Sequence, residues 1–128
     1  MNEVVLDASA ILAYIQVERG AENLTNAILD HAVASTVNLA EVQSKLVKKG
    51  RDPEQAWEEI LSLIHAEVPF TSDQAKIAGD LIATTEKYGL SLGDRSCLAL
   101  AIALDAPVYT TEKLWKNLKL GVPIHLIR

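Results

Sequence analysis

"VVLDASAILAYI", residues 4–15, is an apolar run that stops at a carboxylate, Asp7, and restarts at once with helix-forming residues. Val4 to Leu6 suit a buried strand, and Ala8 to Tyr14 suit a helix lying against it, so the stretch reads as strand then helix. A carboxylate is costly to bury without a partner. Whatever holds Asp7 at this junction therefore bears on what the protein does.

Outward from this unit, strands and helices keep alternating. The first helix is expected to stop near Gly20. A second, "AENLTNAILDHA", sets Leu24, Ala27, Ile28 and Leu29 on one face and leads into a strand, "AVAST". "VNLAEVQSKLVKKG" follows as a helix closed by Gly50. Pro53 suits an early helical position, and Ala56, Trp57, Ile60, Leu61 and Ile64 repeat at helical spacing before the strand "AEVPF". Thr71 to Tyr88 reads as one long helix ended by Gly89, with Ala75, Ile77, Ala78, Leu81 and Ile82 on its apolar face. "LSLGDRSCLALAIAL" gives a loop and a helix apolar on nearly every side, hence buried. "APVYT", "TEKLWKNL" and "VPIHLI" complete the pattern as strand, short helix and strand. Such alternation, with few hairpin-type turns, predicts an α/β fold in one domain, residues 1–128, with a parallel sheet covered by helices on both faces.

Composition narrows the function classes. With 128 residues, 49% of them hydrophobic and 23% charged, the chain can bury a core without help from disulfides or metals. Its single cysteine, Cys97, forms no internal disulfide and reads as core. The longest apolar run, Cys97 to Leu104, falls short of the ~18 residues of a membrane span, and "MNEVVLDASA" lacks a basic leader, so a soluble, cytoplasmic protein is expected. A net charge of −5 argues against a non-specific nucleic-acid surface, although Lys45, Lys48, Lys49 and Arg51 form one basic set and Lys113, Lys116 and Lys119 another.

In open parallel sheets the functional crevice lies beyond the carboxyl ends of the strands. Asp7 follows the first strand, Glu41 lies early in the helix after the second, Asp94 opens the buried helix, and Glu112 follows the fourth strand. All of these acids fall at one edge. Singly, each is explained as a helix cap: Asp7 for the helix at Ala8, Asn38 and Glu41 as a capping box, Asp94 for its own helix. Together, carboxylates drawn to the centre of a sheet repel one another unless a cation or proton is shared. A hard divalent ion, Mg²⁺ or Mn²⁺, prefers such oxygen ligands and completes its shell with water and phosphate oxygens. Zinc is disfavoured, because His31, His65 and His125 sit on separate elements, and no phosphate loop, nucleophile elbow or CxxC pair is present.

"VVLDASAILA", "STVNLAEVQSKL", "LSLGDRSCLALAIAL" and "VYTTEKLW" resemble the acidic motifs of PIN-domain ribonucleases, in that family's order and over nearly the whole chain. The similarity is closest to the toxin half of VapBC-type toxin–antitoxin pairs. It implies a three-layer α/β/α sandwich with strand order 3-2-1-4-5, and Mg²⁺- or Mn²⁺-dependent hydrolysis of RNA. It assigns Asp7, Glu41 and Asp94 to the metal site. Thr110 and Glu112 match the family's Thr-x-Asp stretch, with Glu112 standing where Asp is usual. Ser9, two positions after the first acid, receives a supporting hydrogen-bond role. Lys45, Lys113 and Arg95 become candidates for holding the RNA backbone, Arg95 equally for a salt bridge. Two protein partners follow, a cognate antitoxin and a second copy of this chain. The competing readings are a PIN-like module that binds RNA or protein without cutting, and a phospho-accepting receiver domain, for which the chain lacks adjacent acids after its first strand.

Overall fold

Val5 lies at the middle of the sheet. Its strand β1 (Val4–Leu6) pairs in parallel with β2 (Ala32–Ser35) through Val33 and with β4 (Val108–Thr110) through Val108. The computed structural model, which describes residues 2–128, adds β3 (Ala66–Val68) outside β2 and β5 (Ile124–Leu126) outside β4. The order is β3-β2-β1-β4-β5, as the PIN-domain resemblance implies, and every pairing is parallel, as the alternation of strands and helices predicts.

The helices are α1 (Ala8–Ile15), α2 (Asn26–Leu29), α3 (Thr36–Lys48), α4 (Pro53–Leu63), α5 (Ser72–Asp80), α6 (Ile82–Thr85) and α7 (Leu92–Leu104). Successive strand residues point to opposite faces. Val4, Leu6, Ala32 and Ala34 accordingly pack with residues of α1, α3 and α4, while Val5, Val33 and Val108 pack with α7 and with Trp115. The result is the three-layer α/β/α sandwich. Trp57 lies half-buried against the first core and Trp115 is buried in the second. No helix among the described residues is long and apolar enough to cross a membrane.

Several elements are shorter than sequence spacing predicts, each for a local reason. Helix α1 ends at Ile15, well before Gly20, because Glu18 N–H returns to Ala13 C=O at 2.8 Å and Val17 takes a left-handed conformation, φ 53°. This is a glycine-type helix stop made by a valine. The helix expected over residues 21–32 reduces to a 3₁₀ turn, Ala21–Asn23, and the single turn of α2, since Thr25 caps α2 through its side chain and restarts the chain there. Residues 71–88 break into α5, α6 and a 3₁₀ turn. Thr84 and Thr85 donate their hydroxyls back to Leu81 C=O, competing with the regular ladder. "TEKLWKNL" forms a 3₁₀ helix over Lys113–Asn117.

The loop after α1 fastens β5, and through it the end of β4. Gly20 has φ 97° and lies so close to the end of the chain that a Cβ would approach Ile127 O to 2.5 Å. Asn23 Nδ2 donates to that same oxygen at 2.7 Å, and Ile127 N–H donates to Thr110 C=O at 3.0 Å. Gly50 has a similar φ, 94°, but open space around it. Gly50→Ala should therefore cost about 1 kcal/mol from its left-handed backbone alone, and Gly20→Ala at least about twice that, because the methyl meets main chain. Urea unfolding midpoints check this, and equal losses at the two positions would contradict it.

Candidate active site

Strand order reverses between β1 and β4, and in such sheets the ligand crevice opens at this reversal, beyond the carboxyl ends. Asp7 and Thr110 face each other across it. Thr110 Oγ1 donates to Asp7 Oδ2 at 2.6 Å, and Ala10 N–H donates to Asp7 Oδ1 at 2.8 Å as the cap of α1. Ser9 Oγ stands 2.8 and 2.9 Å from the two Asp7 oxygens and accepts from Thr111 N–H at 3.0 Å. Every donor is neutral, Asp7 is 3% exposed, and no cation among the described residues pairs with it. Burial pushes its pKa up to about 6 against the opposing pull of the Thr110, Ala10 and Ser9 hydrogen bonds, and the negative charge of Asp94 adds to the rise.

Asp94 lies on α7 and Glu41 on α3, with the Glu41 carboxylate against Gly93, next to Asp94. Ser91 caps α7, accepting from Asp94 N–H at 3.1 Å, while Asp94 Oδ2 accepts from Ser91 N–H at 2.9 Å. This reciprocal box fixes the first turn of α7. On α3 the expected box of Asn38 and Glu41 is absent, because the helix starts earlier, at Thr36 with Ser35 as its cap. Asn38 instead lies inside the helix and donates from Nδ2 to Glu41 Oε1 at 2.8 Å and to Gly93 C=O of α7 at 3.0 Å. Cys97 is fully buried one turn beyond Asp94. Burial raises its thiol pKa, and the charges of Asp7, Asp94 and Glu41, in that order, raise it further.

The other candidates are distributed unevenly. Ser9 and Thr110 belong to the Asp7 network, while Glu112 is exposed and joins it only by its main chain, its N–H donating to Thr110 Oγ1 at 3.0 Å. Lys45 is exposed and lines, with Glu41, an open groove of about 580 Å³. Lys113 is exposed beside Glu112. Arg95 points elsewhere, its Nη1 donating to Ala78 C=O of α5 at 2.8 Å, so it serves as a strut between α7 and α5. Arg51 pairs with Glu59, which removes it from the first basic set. A separate cleft of about 450 Å³, lined by residues including Tyr14, Asp30 and His65, lies at the amino ends of the strands, away from these acids.

The donor set fits a hard divalent ion held sparingly. Among the described residues no group of three His, Cys, Asp or Glu side chains is arranged to hold a metal ion, so there is no closed cage. Mg²⁺ rarely uses such a cage, binding through one or two carboxylates with water and substrate oxygens filling its octahedron. An all-oxygen edge with one buried carboxylate and no counter-charge meets that requirement. The sequence missed Asn38, Ser91 and Gly93 as parts of the site, although the spacing of Ser91 and Asp94 is itself a capping-box signal.

Asp7 makes apo stability pH-dependent with a definite sign. Its native pKa, about 6, exceeds the ordinary 3.8, so between these values the folded protein binds the extra proton and stability falls as pH rises. The loss is complete above about pH 6 and amounts to at most about 3 kcal/mol. Asp7→Asn keeps the capping oxygen and should flatten that slope and raise apo stability at pH 7.5. Unfolding in EDTA across pH 4 to 8 measures both. A variant less stable than the parent at pH 7.5 would contradict the burial argument.

Solved structures with this fold are DNA-bound VapBC from Salmonella typhimurium, a toxin–antitoxin complex from Klebsiella pneumoniae, and VapC20, a Sarcin-Ricin loop cleaving toxin from Mycobacterium tuberculosis. The TM-scores are 0.77, 0.72 and 0.72 at identities of 17%, 21% and 14%. Coverage of this chain and of the other is 100% and 100%, 94% and 95%, and 94% and 99%, respectively. A search of curated protein sequences gives no match. The receiver-domain alternative has no support, since no second acid adjoins Asp7 after β1 and Asp73 is an exposed first-turn residue of α5. Residues 4–119 match the PIN domain, and the chain belongs to that family.

Proposed function

We propose that this chain is a Mg²⁺- or Mn²⁺-dependent endoribonuclease that hydrolyses RNA phosphodiester bonds, and that it acts as the toxin of a toxin–antitoxin pair. One observation carries the reading: Asp7 is buried at the reversal of the sheet without a cation, while the charges of Asp94 and Glu41 bear on the same ground. Support for the toxin role comes from fold neighbours that are themselves toxin–antitoxin complexes or a Sarcin-Ricin loop cleaving toxin.

Asp7 would hold the ion, with Glu41 and Asp94 meeting it directly or through its waters. Bound there, a divalent ion supplies a water of lowered pKa and positive charge against the phosphate oxygens. Ser9 and Thr110 keep the Asp7 carboxylate from rotating, since each of its oxygens already has a fixed donor. Lys45, exposed in the groove beside Glu41, and Lys113, exposed next to Glu112, would hold the phosphate backbone against the repulsion of the acids. Arg95 would have to give up its bond to α5 to do the same, so it is left out of this role. Glu112, exposed and joined to the Asp7 network by its main chain, would meet the ion through water. The same reading includes a cognate antitoxin, a second copy of the chain and a cytoplasmic setting.

The non-cutting alternative draws on one feature, Glu112, which stands where the family's Asp is usual and joins the Asp7 network only by its main chain. RNA cleavage by the purified chain separates the two. Activity should require Mg²⁺ or Mn²⁺, vanish with EDTA, and fall by ~100-fold or more in Asp7→Asn, as expected when several kcal/mol of charge stabilisation are lost. Cleavage that persists in EDTA and in the variant would overturn the proposal. Mn²⁺ binding without cleavage would favour the non-cutting module.

A further inference from the structure

We infer that Asn38 is a positioning residue: it fixes the Glu41 carboxylate against Gly93 and so sets the metal affinity of the site. The inference rests on the metal-dependent reading above. Asn38 lies one turn before Glu41 on α3 and is 1% exposed. Its Nδ2 faces two acceptors, Glu41 Oε1 at 2.8 Å and Gly93 C=O at 3.0 Å, so the amide has only one sensible orientation. Its Oδ1 is buried and has no partner among the described residues. An unpaired buried acceptor is unfavourable, and an apolar side chain of the same shape would fill the space without that penalty. The donor half of the amide is what this position needs.

Gly93 completes the arrangement. A Cβ at this residue would overlap the Glu41 carboxylate, so the carboxylate lies directly on the main chain of α7, next to Asp94. Glu41 is therefore held from two sides, by the Asn38 amide and by the bare backbone of Gly93. A glutamate side chain in water samples many rotamers, and fixing it before a ligand arrives removes an entropic cost from binding. The same amide also ties α3 to α7 across the site, so the spacing between Glu41 and Asp94 depends on it.

The test is isothermal titration of the full chain with MnCl₂ at neutral pH, with circular dichroism as the control for folding. Asn38→Leu, close in shape but unable to donate, should weaken Mn²⁺ binding ~10- to 100-fold, the range found when groups that orient metal ligands are removed. Gly93→Ala leaves Asn38 in place but displaces the carboxylate, and should weaken binding by a similar factor; it serves as the second test if Asn38→Leu does not fold. In a Glu41→Gln background, Asn38→Leu should add almost no further loss, because its effect passes through Glu41. Parental affinity in a folded Asn38→Leu, or a full additional loss in the double variant, would overturn the inference. If the parent chain itself fails to bind Mn²⁺, the metal-dependent reading falls and takes this inference with it.

Discussion

The 2.6 Å hydrogen bond from Thr110 to Asp7 spans the crevice where the strand order reverses, and the organisation of the site follows from it. It joins the end of the central strand to the end of its neighbour, and it satisfies one oxygen of a carboxylate that burial would otherwise leave bare. Yet it is a neutral donor, as are Ser9 and Ala10, and neutral donors only partly offset the desolvation of a charge. The rise in the Asp7 pKa is the remainder of that imbalance. A sheet held together by Val5, Val33 and Val108 can tolerate it because the surrounding core is extensive.

Capping and chemistry are not rival explanations for the acids. Asp7 is the N-cap of α1, and Asp94 belongs to the capping box of α7, so each stabilises its own helix in the ordinary way. Capping also explains why they converge. A cap must lie at the start of its helix, and helices in a parallel sheet start where strands end, so two caps on neighbouring units are brought to one edge. Glu41 is the exception. It lies more than a turn inside α3 and reaches the edge because Asn38 and Gly93 hold it there.

Much of this was legible in the residues. The junction at Asp7, the alternation of strand and helix, and the apolar run of α7 sufficed for a parallel sheet with helices on both faces, because periodicity and burial act locally. What escaped were features decided by side chains reporting on their surroundings. Val17 ends α1 in a conformation normally reserved for glycine, and Thr84 and Thr85 break what looks like a single helix by bonding back to Leu81. The Asn38 and Glu41 spacing suggested a cap, but Ser35 had already started the helix, which freed the amide for a contact across to α7. Arg95 beside Asp94 invited a role with phosphate, whereas its bond to Ala78 commits it to packing. No local pattern distinguishes these outcomes, since each depends on what a second element brings alongside.

The central claim is that the charges of Asp7, Glu41 and Asp94 are reconciled by one divalent ion at the reversal of the sheet. Anomalous diffraction from crystals grown with MnCl₂ tests it most directly. The expected result is a single manganese peak bonded to an Asp7 oxygen, with Glu41 and Asp94 bound to the ion or to its waters. Manganese absent from that edge while occupying another part of the molecule, with the three carboxylates separately hydrated, would contradict it.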